Sequence, residues 1–312
     1  MDKDVITLIE VTKEFSLGLF RKKIGVNSLS LSVPRGKIVG LLGPNGSGKS
    51  TTLKMILGFL SPTKGEILIE GISARDRNAR RNIGYLPENP RFQKFLTAEQ
   101  ILGYYGRLLG LNQAILRKRT PELLERVGLK NAAQERVQGF SKGMTQRLAI
   151  AQSLLNQPSL LIFDEPMSGL DPLGRIEIRQ LIRGIGKDFP STTIFFSTHI
   201  LADAEELCEQ VALLKKGRLH RFCGIDELLK TEKESYLVVT PDKVRIPEGA
   251  TATQTASGLQ IQLEGTDRLV DLLNDFKKQG ARVLSVETQR RRLEEALFAD
   301  GISPPPNEEA TL

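Results

Sequence analysis

The chain has 312 residues, enough for one full α/β domain and a smaller second one. Its net charge of +7 suits nucleic acid, an anionic membrane surface or a phosphate ligand, but aromatic residues make up only 5% and tryptophan is absent, which argues against base stacking. No run approaches the roughly 18 apolar residues of a membrane helix and no signal peptide opens the chain, so we expect a cytoplasmic protein.

The amino-terminal part alternates between apolar and polar residues, as half-buried strands do. Residues 5–15 and 28–33 show this pattern, which predicts an antiparallel β-subdomain. A continuous apolar run at 37–42 then enters a glycine-rich loop, and residues 52–60 have helical periodicity. The order is strand, loop, helix.

A helical insertion is expected at about residues 93–134, because Thr97 and Gln100 form a capping box ahead of a helical apolar pattern. Two further apolar strands follow at 159–165 and 192–199, each succeeded by a helix. Strands that alternate with helices predict a parallel sheet with both faces covered.

A hairpin at 211–222 closes the main domain, which we expect to span residues 1–232, and Asp226 is expected to cap a short helix after it. Residues 235–300 predict a small α+β accessory domain, in which three strands surround one amphipathic helix. The proline-rich, acidic tail at 301–312 has little to bury and is predicted to be disordered.

The glycine-rich loop from Gly43 to Ser50 matches the phosphate-binding pattern, in which backbone N–H groups and a helix N-terminus surround the phosphates of a nucleotide. Lys49 supplies a cation for the β- and γ-phosphates, and Ser50 supplies a hydroxyl for Mg²⁺. The residues expected to bind ATP in this segment are Gly43, Pro44, Asn45, Gly46, Ser47, Gly48, Lys49, Ser50 and Thr51.

Two carboxylates, Asp164 and Glu165, come directly after a buried strand, at the edge where open α/β sheets bind ligands. Asp164 would hold Mg²⁺ and Glu165 would polarise the attacking water. His199 follows the next strand, so its imidazole is expected at the same edge, where it can bond the γ-phosphate. Taken alone, the acidic pair could cap a helix and His199 could be an ordinary surface or hydrogen-bonded histidine. Because the phosphate loop is present in the same chain, we favour a catalytic role for these residues.

Six motifs in this order resemble those of ATP-binding cassette ATPases. The resemblance covers about residues 4–230, and the region after 235 is more loosely similar to the extension of cassettes that serve bacterial type-2 exporters. The motifs are the phosphate loop, Tyr85-Leu-Pro-Glu88, Ser141-Lys-Gly-Met-Thr-Gln-Arg147, Leu161-Ile-Phe-Asp-Glu-Pro166, Ser168-Gly-Leu-Asp171 and Ser197-Thr-His199.

The resemblance implies an ATPase that works as a dimer, with ATP held between the phosphate loop of one subunit and the Ser141 motif of the other. Ser141 and Gly143 would contact the γ-phosphate across the interface, and Asp171 would link the two sites. Phe15 would stack on adenine, with Phe20 as a competing candidate. The implied partners are a second cassette, as a homodimer, and a membrane permease, which would hold the protein at the cytoplasmic face; nucleic acid is not an expected partner.

Two residues depart from the usual pattern of the family. Phe140-Ser-Lys-Gly-Met stands in place of Leu-Ser-Gly-Gly-Gln, and Glu88 replaces a glutamine. Glu88 can accept a hydrogen bond from water or approach Mg²⁺, but it cannot donate as an amide does. Both departures resemble type-2 exporter cassettes and favour export.

Two other functions remain open from the sequence alone. A soluble cassette ATPase of translation or DNA repair would suit the basic charge, but translation factors of this kind carry two cassettes and repair ATPases insert a long coiled coil. The insertion here lacks sustained heptads. A regulatory module that binds ATP without turnover is the other alternative, and Glu165 together with His199 argues against it.

Overall fold

The computed structural model describes residues 4–16, 22–229, 235–242, 244–247, 249–255 and 258–289. The chain divides into two compact units, the first containing Met1–Ile225 and the second Asp226–Gly301. The boundary expected near 232–235 and the tail at 301–312 lie outside the described residues, as does Phe20.

The first unit contains two sheets whose strands are connected by helices. Its described strands are β1 (Ile6–Ser16), β2 (Lys22–Val33), β3 (Ile38–Leu42), β4 (Lys64–Ile69), β5 (Ile72–Ser73), β6 (Ile83–Leu86), β7 (Leu160–Asp164), β8 (Thr193–Thr198), β9 (Gln210–Lys215) and β10 (Arg218–Gly224). The helices along this part of the chain are α1 (Lys49–Ile56), α2 (Ala98–Leu108), α3 (Gln113–Arg126), α4 (Lys142–Ser153), α5 (Pro172–Asp188), α6 (Leu201–Leu207) and α7 (Ile225–Leu229). Because α7 begins at Ile225, Asp226 lies inside its first turn and does not cap it.

The larger sheet has the strand order β10-β9-β3-β8-β7-β6. Its neighbouring strands from β9 to β6 run parallel, and β10 returns antiparallel beside β9. Every residue of β7 and β8 is buried, which explains why these strands read as continuous apolar runs. Phe163, Phe195 and Phe196 are among the largest fully buried side chains.

The smaller sheet of the first unit is antiparallel, with the order β2-β1-β4-β5. It is the amino-terminal β-subdomain that the alternating pattern predicts. The two-residue turns Glu70-Gly71 and Lys216-Gly217 connect β4 to β5 and β9 to β10, and all four of these residues have positive φ. That backbone is typical of tight hairpin turns in which glycine takes the second position.

The second unit is a four-stranded antiparallel sheet with one helix. Its described elements are β11 (Ser235–Thr240), β12 (Thr251–Thr255), β13 (Gly258–Glu264), α8 (Thr266–Gln279) and β14 (Ser285–Gln289). The sheet order is β12-β13-β11-β14, and side chains such as Val238, Ile261 and Phe276 form its core. β12 was not predicted, because its sequence Thr-Ala-Thr-Gln-Thr offers almost no apolar face to bury.

No helix among the described residues is long and apolar enough to cross a bilayer.

The capping box predicted at the start of α2 is present. The Thr97 hydroxyl oxygen accepts a hydrogen bond from the backbone N–H of Gln100 at 3.2 Å. The side-chain oxygen of Gln100 accepts one from the backbone N–H of Thr97 at 2.9 Å. Two of the otherwise unpaired donors at this helix end are therefore satisfied.

We predict that Thr97→Ala lowers the free energy of unfolding by about 1 kcal/mol, because the Gln100 N–H loses its acceptor. Urea denaturation followed by circular dichroism measures this change. Thr97→Ser retains the hydroxyl and serves as the control. Equal midpoints for Thr97→Ala and the parent chain would contradict the prediction.

Candidate active site

Three adjacent parallel strands end at one edge of the larger sheet. β8 lies between β3 and β7, and Leu42 pairs with Thr198 while Asp164 pairs with Ser197. Asp164 is the last residue of β7, and the segments that follow the three strands carry the phosphate loop, Glu165 and His199. The sheet therefore brings together residues that are more than 100 positions apart in the chain.

The phosphate loop joins β3 to α1 through a backbone that requires glycine. Gly46 and Gly48 have φ of 79° and 108°, a conformation that L side chains rarely adopt. Gly48 is the residue before α1 and offers no side-chain cap to its first turn. The N–H groups at the start of α1 are consequently available to an anion.

Lys49 is 6% exposed and has two oxygen partners. Its Nζ donates to the Gly43 carbonyl oxygen at 2.7 Å and lies 3.5 Å from Glu165 Oε1. The buried ammonium and the carboxylate of Glu165 neutralise each other in part, which reduces the cost of burying either one.

Glu165 is held between Lys49 and His199. Its Oε2 lies 2.9 Å from His199 Nδ1. Burial raises the pKa of Glu165, but the hydrogen bond and charge of His199 together with the charge of Lys49 outweigh burial and lower the pKa below its ordinary value. The carboxylate is therefore ionised at neutral pH and able to accept a proton.

The backbone of Glu165 has a φ of 47°, which is uncommon for a residue with a Cβ. The chain turns sharply here, directly after β7. This turn leaves the Glu165 carboxylate next to Lys49 and His199, the contacts described above.

Ser197 connects the two carboxylate residues. Its hydroxyl donates to Asp164 Oδ1 at 2.7 Å and accepts from the Glu165 N–H at 3.0 Å, and its side chain is fully buried. Asp164 Oδ1 also accepts from Ser50 Oγ at 3.4 Å. Sequence reasoning assigned no role to Ser197; its place opposite Asp164 depends on the β7–β8 register.

A cavity of about 700 Å³ opens above these groups. Phe15 and Glu88, which the family resemblance offers as nucleotide-binding residues, line it; Lys23, Ile24 and Gly25 of β2 also line it and were not indicated by the sequence. The lining residues are Phe15, Ser16, Lys23, Ile24, Gly25, Asn45, Gly46, Gly48, Lys49, Ser50, Thr51, Glu88, Glu165, Ser168 and His199.

Ser141, Gly143 and Asp171 are not among the residues that line this cavity in the described part of the chain. Ser141 and Asp171 are exposed residues that cap α4 and α5, accepting from Met144 N and Gly174 N at 3.2 Å each. Within a single chain, these positions are thus separate from the cavity.

Comparison with known proteins identifies the family. A family model described as "ABC transporter" matches residues 26–168. The ABC transporter ATP-binding protein YxlF of Bacillus subtilis is 42% identical over 221 residues, 71% of this chain and 73% of that protein. The chain belongs to the ATP-binding cassette (ABC) transporter family. The bacitracin transport ATP-binding protein BcrA of Bacillus licheniformis is 38% identical to this cassette over 232 residues, 74% of this chain and 73% of that protein.

A solved structure extends the comparison to three dimensions. The ATP-binding cassette MJ0796, a dimer bound to ADP and Pi in a post-hydrolysis state, is 28% identical and has a TM-score of 0.64 over 70% of this chain and 98% of that chain. The cassette is therefore a P-loop NTPase and the ATP-binding subunit of an ABC transporter. It is an ATPase of the transport-coupled class.

We predict that Ser197→Ala lowers kcat for ATP hydrolysis about tenfold, the factor that corresponds to ~1.4 kcal/mol of lost transition-state stabilisation. Asp164 loses a hydrogen bond, and the buried Glu165 N–H loses its acceptor. Steady-state phosphate release measures kcat.

Ser153→Ala is the matched control, because the Ser153 hydroxyl is also buried but donates to the Ile150 carbonyl oxygen in α4, away from the cavity. Both variants should lose some stability. Equal ATPase rates for the two would show that Ser197 has no role in the site.

Proposed function

We propose that this protein hydrolyses ATP as a homodimer at the cytoplasmic face of the membrane and drives export through a separate permease. The observation that carries the proposal is the convergence of Lys49, Glu165 and His199 on one cavity at the carboxyl edge of the parallel sheet. ATP hydrolysis needs a cation that binds the phosphates, a carboxylate that accepts a proton and a group that hydrogen-bonds the γ-phosphate. Lys49, Glu165 and His199 would supply these three groups at one place.

ATP binding is assigned to the loop from Gly43 to Thr51 and to the aromatic ring of Phe15. The free N–H groups at the start of α1 and the Lys49 ammonium would hold the phosphates. Phe15 would stack on the adenine; its ring lies against Gly25, where an added Cβ would come within 2.7 Å of it. This close contact with glycine restricts the position of the ring at the cavity wall.

Magnesium would be held by Ser50, which lines the cavity, and by Asp164, to which the Ser50 hydroxyl donates. Ser50 Oγ and Asp164 Oδ1 lie 3.4 Å apart, and hydroxyl and carboxylate oxygens are ligands that Mg²⁺ prefers. Among the described residues no cluster of three or more His, Cys, Asp or Glu side chains could hold a metal, so waters, phosphate oxygens and Glu88 would complete the coordination. Bound Mg²⁺ would neutralise charge on the phosphates.

Glu165 is the proposed general base. Its lowered pKa keeps the carboxylate ionised, so it can accept the proton of the attacking water as the bond to phosphorus forms. His199 orients this carboxylate through its Nδ1 and would bond the γ-phosphate. Ser197 fixes the peptide of Glu165 and the side chain of Asp164 at once.

The composite site of the dimer is assigned to the start of α4. Ser141 and Gly143 precede or begin that helix, and the exposed Ser141 hydroxyl is open to a partner subunit. They would contact the γ-phosphate bound by the other subunit, and Asp171 would link the two sites. Within one chain, Gln146 links α4 to the segment after Glu165, because its Nε2 donates to the Pro166 carbonyl oxygen at 2.7 Å.

Export is the proposed direction of transport. Phe140-Ser-Lys-Gly-Met and Glu88 resemble type-2 exporter cassettes, and the similar protein BcrA is named for bacitracin transport. The permease would select the substrate.

An anionic membrane surface would complement the net charge of +7. The second unit would act as an accessory domain that regulates the cassette.

The permease would dock on the segment from Arg91 to Leu109. Two apolar side chains here, Phe95 and Leu108, are 67% and 66% exposed, and a permease helix that covered them would bury apolar surface. Phe92 and Tyr105 pack edge to face at 6.0 Å between ring centres, so the segment has a preformed aromatic surface. Glu88, which lines the nucleotide cavity, lies three residues before this segment in the chain.

We predict that Glu165→Gln lowers ATP hydrolysis by about 10²-fold or more while ATP still binds, because the amide keeps the shape of the side chain but cannot accept the proton. Size-exclusion chromatography in Mg-ATP should show a persistent dimer for the variant and mainly monomer for the parent chain. Glu122→Gln, at an exposed position of α3, is the control and should behave as the parent does. Hydrolysis by Glu165→Gln at the parent rate would transfer the role of base to Glu88.

A second prediction concerns docking. Cysteines at Phe95 and Leu108 should cross-link to a cytoplasmic helix of the permease in membranes that contain both proteins. Cys223→Ser provides the background, since Cys208 is buried. Ile72→Cys is the control, as Ile72 is an exposed apolar residue of β5 outside the segment. Cross-linking from position 72 alone would relocate the docking surface.

A further inference from the structure

The turn between β9 and β10 contacts the phosphate loop directly. The Gly217 N–H donates to the Ser47 carbonyl oxygen at 2.9 Å, and the Gly217 carbonyl oxygen accepts from the Asn27 N–H at 2.7 Å. β9 pairs in parallel with β3, the strand that enters the loop, so the turn follows immediately beyond the edge at which the loop begins. One glycine thus joins the phosphate loop to β2.

The contact is made between backbones, without side chains in between. A Cβ on Gly217 would lie 2.9 Å from the Gly25 carbonyl oxygen and 3.1 Å from Val26 Cα. A Cβ on Gly48 would lie 2.7 Å from the same Gly25 oxygen and 3.5 Å from Gly217 Cα, and one on Gly43 would collide with the Leu214 carbonyl oxygen. The loop is consequently enclosed on two sides by fixed main chain.

This enclosure matters because the loop binds phosphate through its N–H groups. A carbonyl oxygen that pointed toward the phosphates would repel them. Each carbonyl of the loop therefore has to point away from the phosphates and accept a hydrogen bond from a donor located there. Gly217 provides that partner for Ser47, and Lys49 and Thr52 provide it for Gly43 and Gly48 at 2.7 and 3.0 Å. Only Gly217 among these donors belongs to a segment outside the loop and α1.

We propose that Gly217 is a positioning residue for ATP binding, which acts by fixing the peptide at Ser47 in the orientation that phosphate requires. The proposal rests on the assignment of the phosphate loop as the ATP site. It predicts that disturbing a turn more than 160 residues away in the sequence weakens nucleotide affinity.

The chain contains a matched control for this turn. Glu70-Gly71 joins β4 to β5 with φ of 52° and 79°, close to the 49° and 77° of Lys216-Gly217. A Cβ on Gly71 would have no atom within 4 Å. Substitutions at Gly71 and Gly217 therefore impose similar backbone strain, but only those at Gly217 press on β2 and so displace the N–H that donates to Ser47.

The test compares Gly217→Ala and Gly217→Asn with Gly71→Ala and Gly71→Asn in the full chain. Asparagine tolerates positive φ better than alanine and reduces the strain while it keeps the added Cβ. We expect both Gly217 variants to raise the Kd for a fluorescent ATP analogue about tenfold, or ~1.4 kcal/mol. KM for ATP should rise in parallel while kcat at saturating ATP changes much less, and the Gly71 variants should bind as the parent does.

Parent-like affinity in the Gly217 variants, or an equal loss of affinity at Gly71, would overturn the proposal. A Gly217→Asn chain that fails to fold while Gly71→Asn folds would place the role in folding and overturn it too. Lys49→Ala distinguishes a failure of the proposed ATP site from a failure of the positioning role of Gly217. If Lys49→Ala keeps its ATP affinity and turnover, the proposed ATP site is wrong. If Lys49→Ala loses both and the Gly217 variants do not, only the positioning role fails.

Discussion

Parallel pairing of β3, β8 and β7 is the constraint on which the site depends. Because their side chains alternate with a period of two, a slip of one residue would turn buried side chains of β8 to the other face. Both faces of β7 and β8 are buried, so such a slip would repack the core on each side of the sheet; the observed register sets Asp164 opposite Ser197. The chemistry at the edge of the sheet thus depends on apolar packing within it.

Close contacts between backbone segments shape this edge of the sheet. Glycines at 43, 48 and 217 allow three backbone segments to meet without intervening atoms. Charged groups occupy the remaining space in pairs: Lys49 with Glu165, and Glu165 with His199. A buried charge without such a partner would be costly, so the groups proposed to act on ATP also stabilise one another.

The sequence predicts the local features of this protein well and its non-local contacts poorly. The glycine-rich loop before α1, the acidic pair at the end of β7 and the capping box at Thr97 are each encoded within a few consecutive residues, and each is present in the structure. The bridging role of Ser197 and the approach of Gly25 to Phe15 need the pairing of particular strands, which no short pattern specifies. The strand β12 was missed for a different reason: its polar sequence has no apolar period to detect.

The left-handed backbone of Glu165 has a consequence for the evolution of the cassette. A residue with a Cβ at this φ costs about 1–2 kcal/mol, and glycine would remove that strain. Glycine, however, has no carboxylate to meet Lys49 and His199. A more stable backbone and the carboxylate proposed as the general base therefore require different residues at this one position.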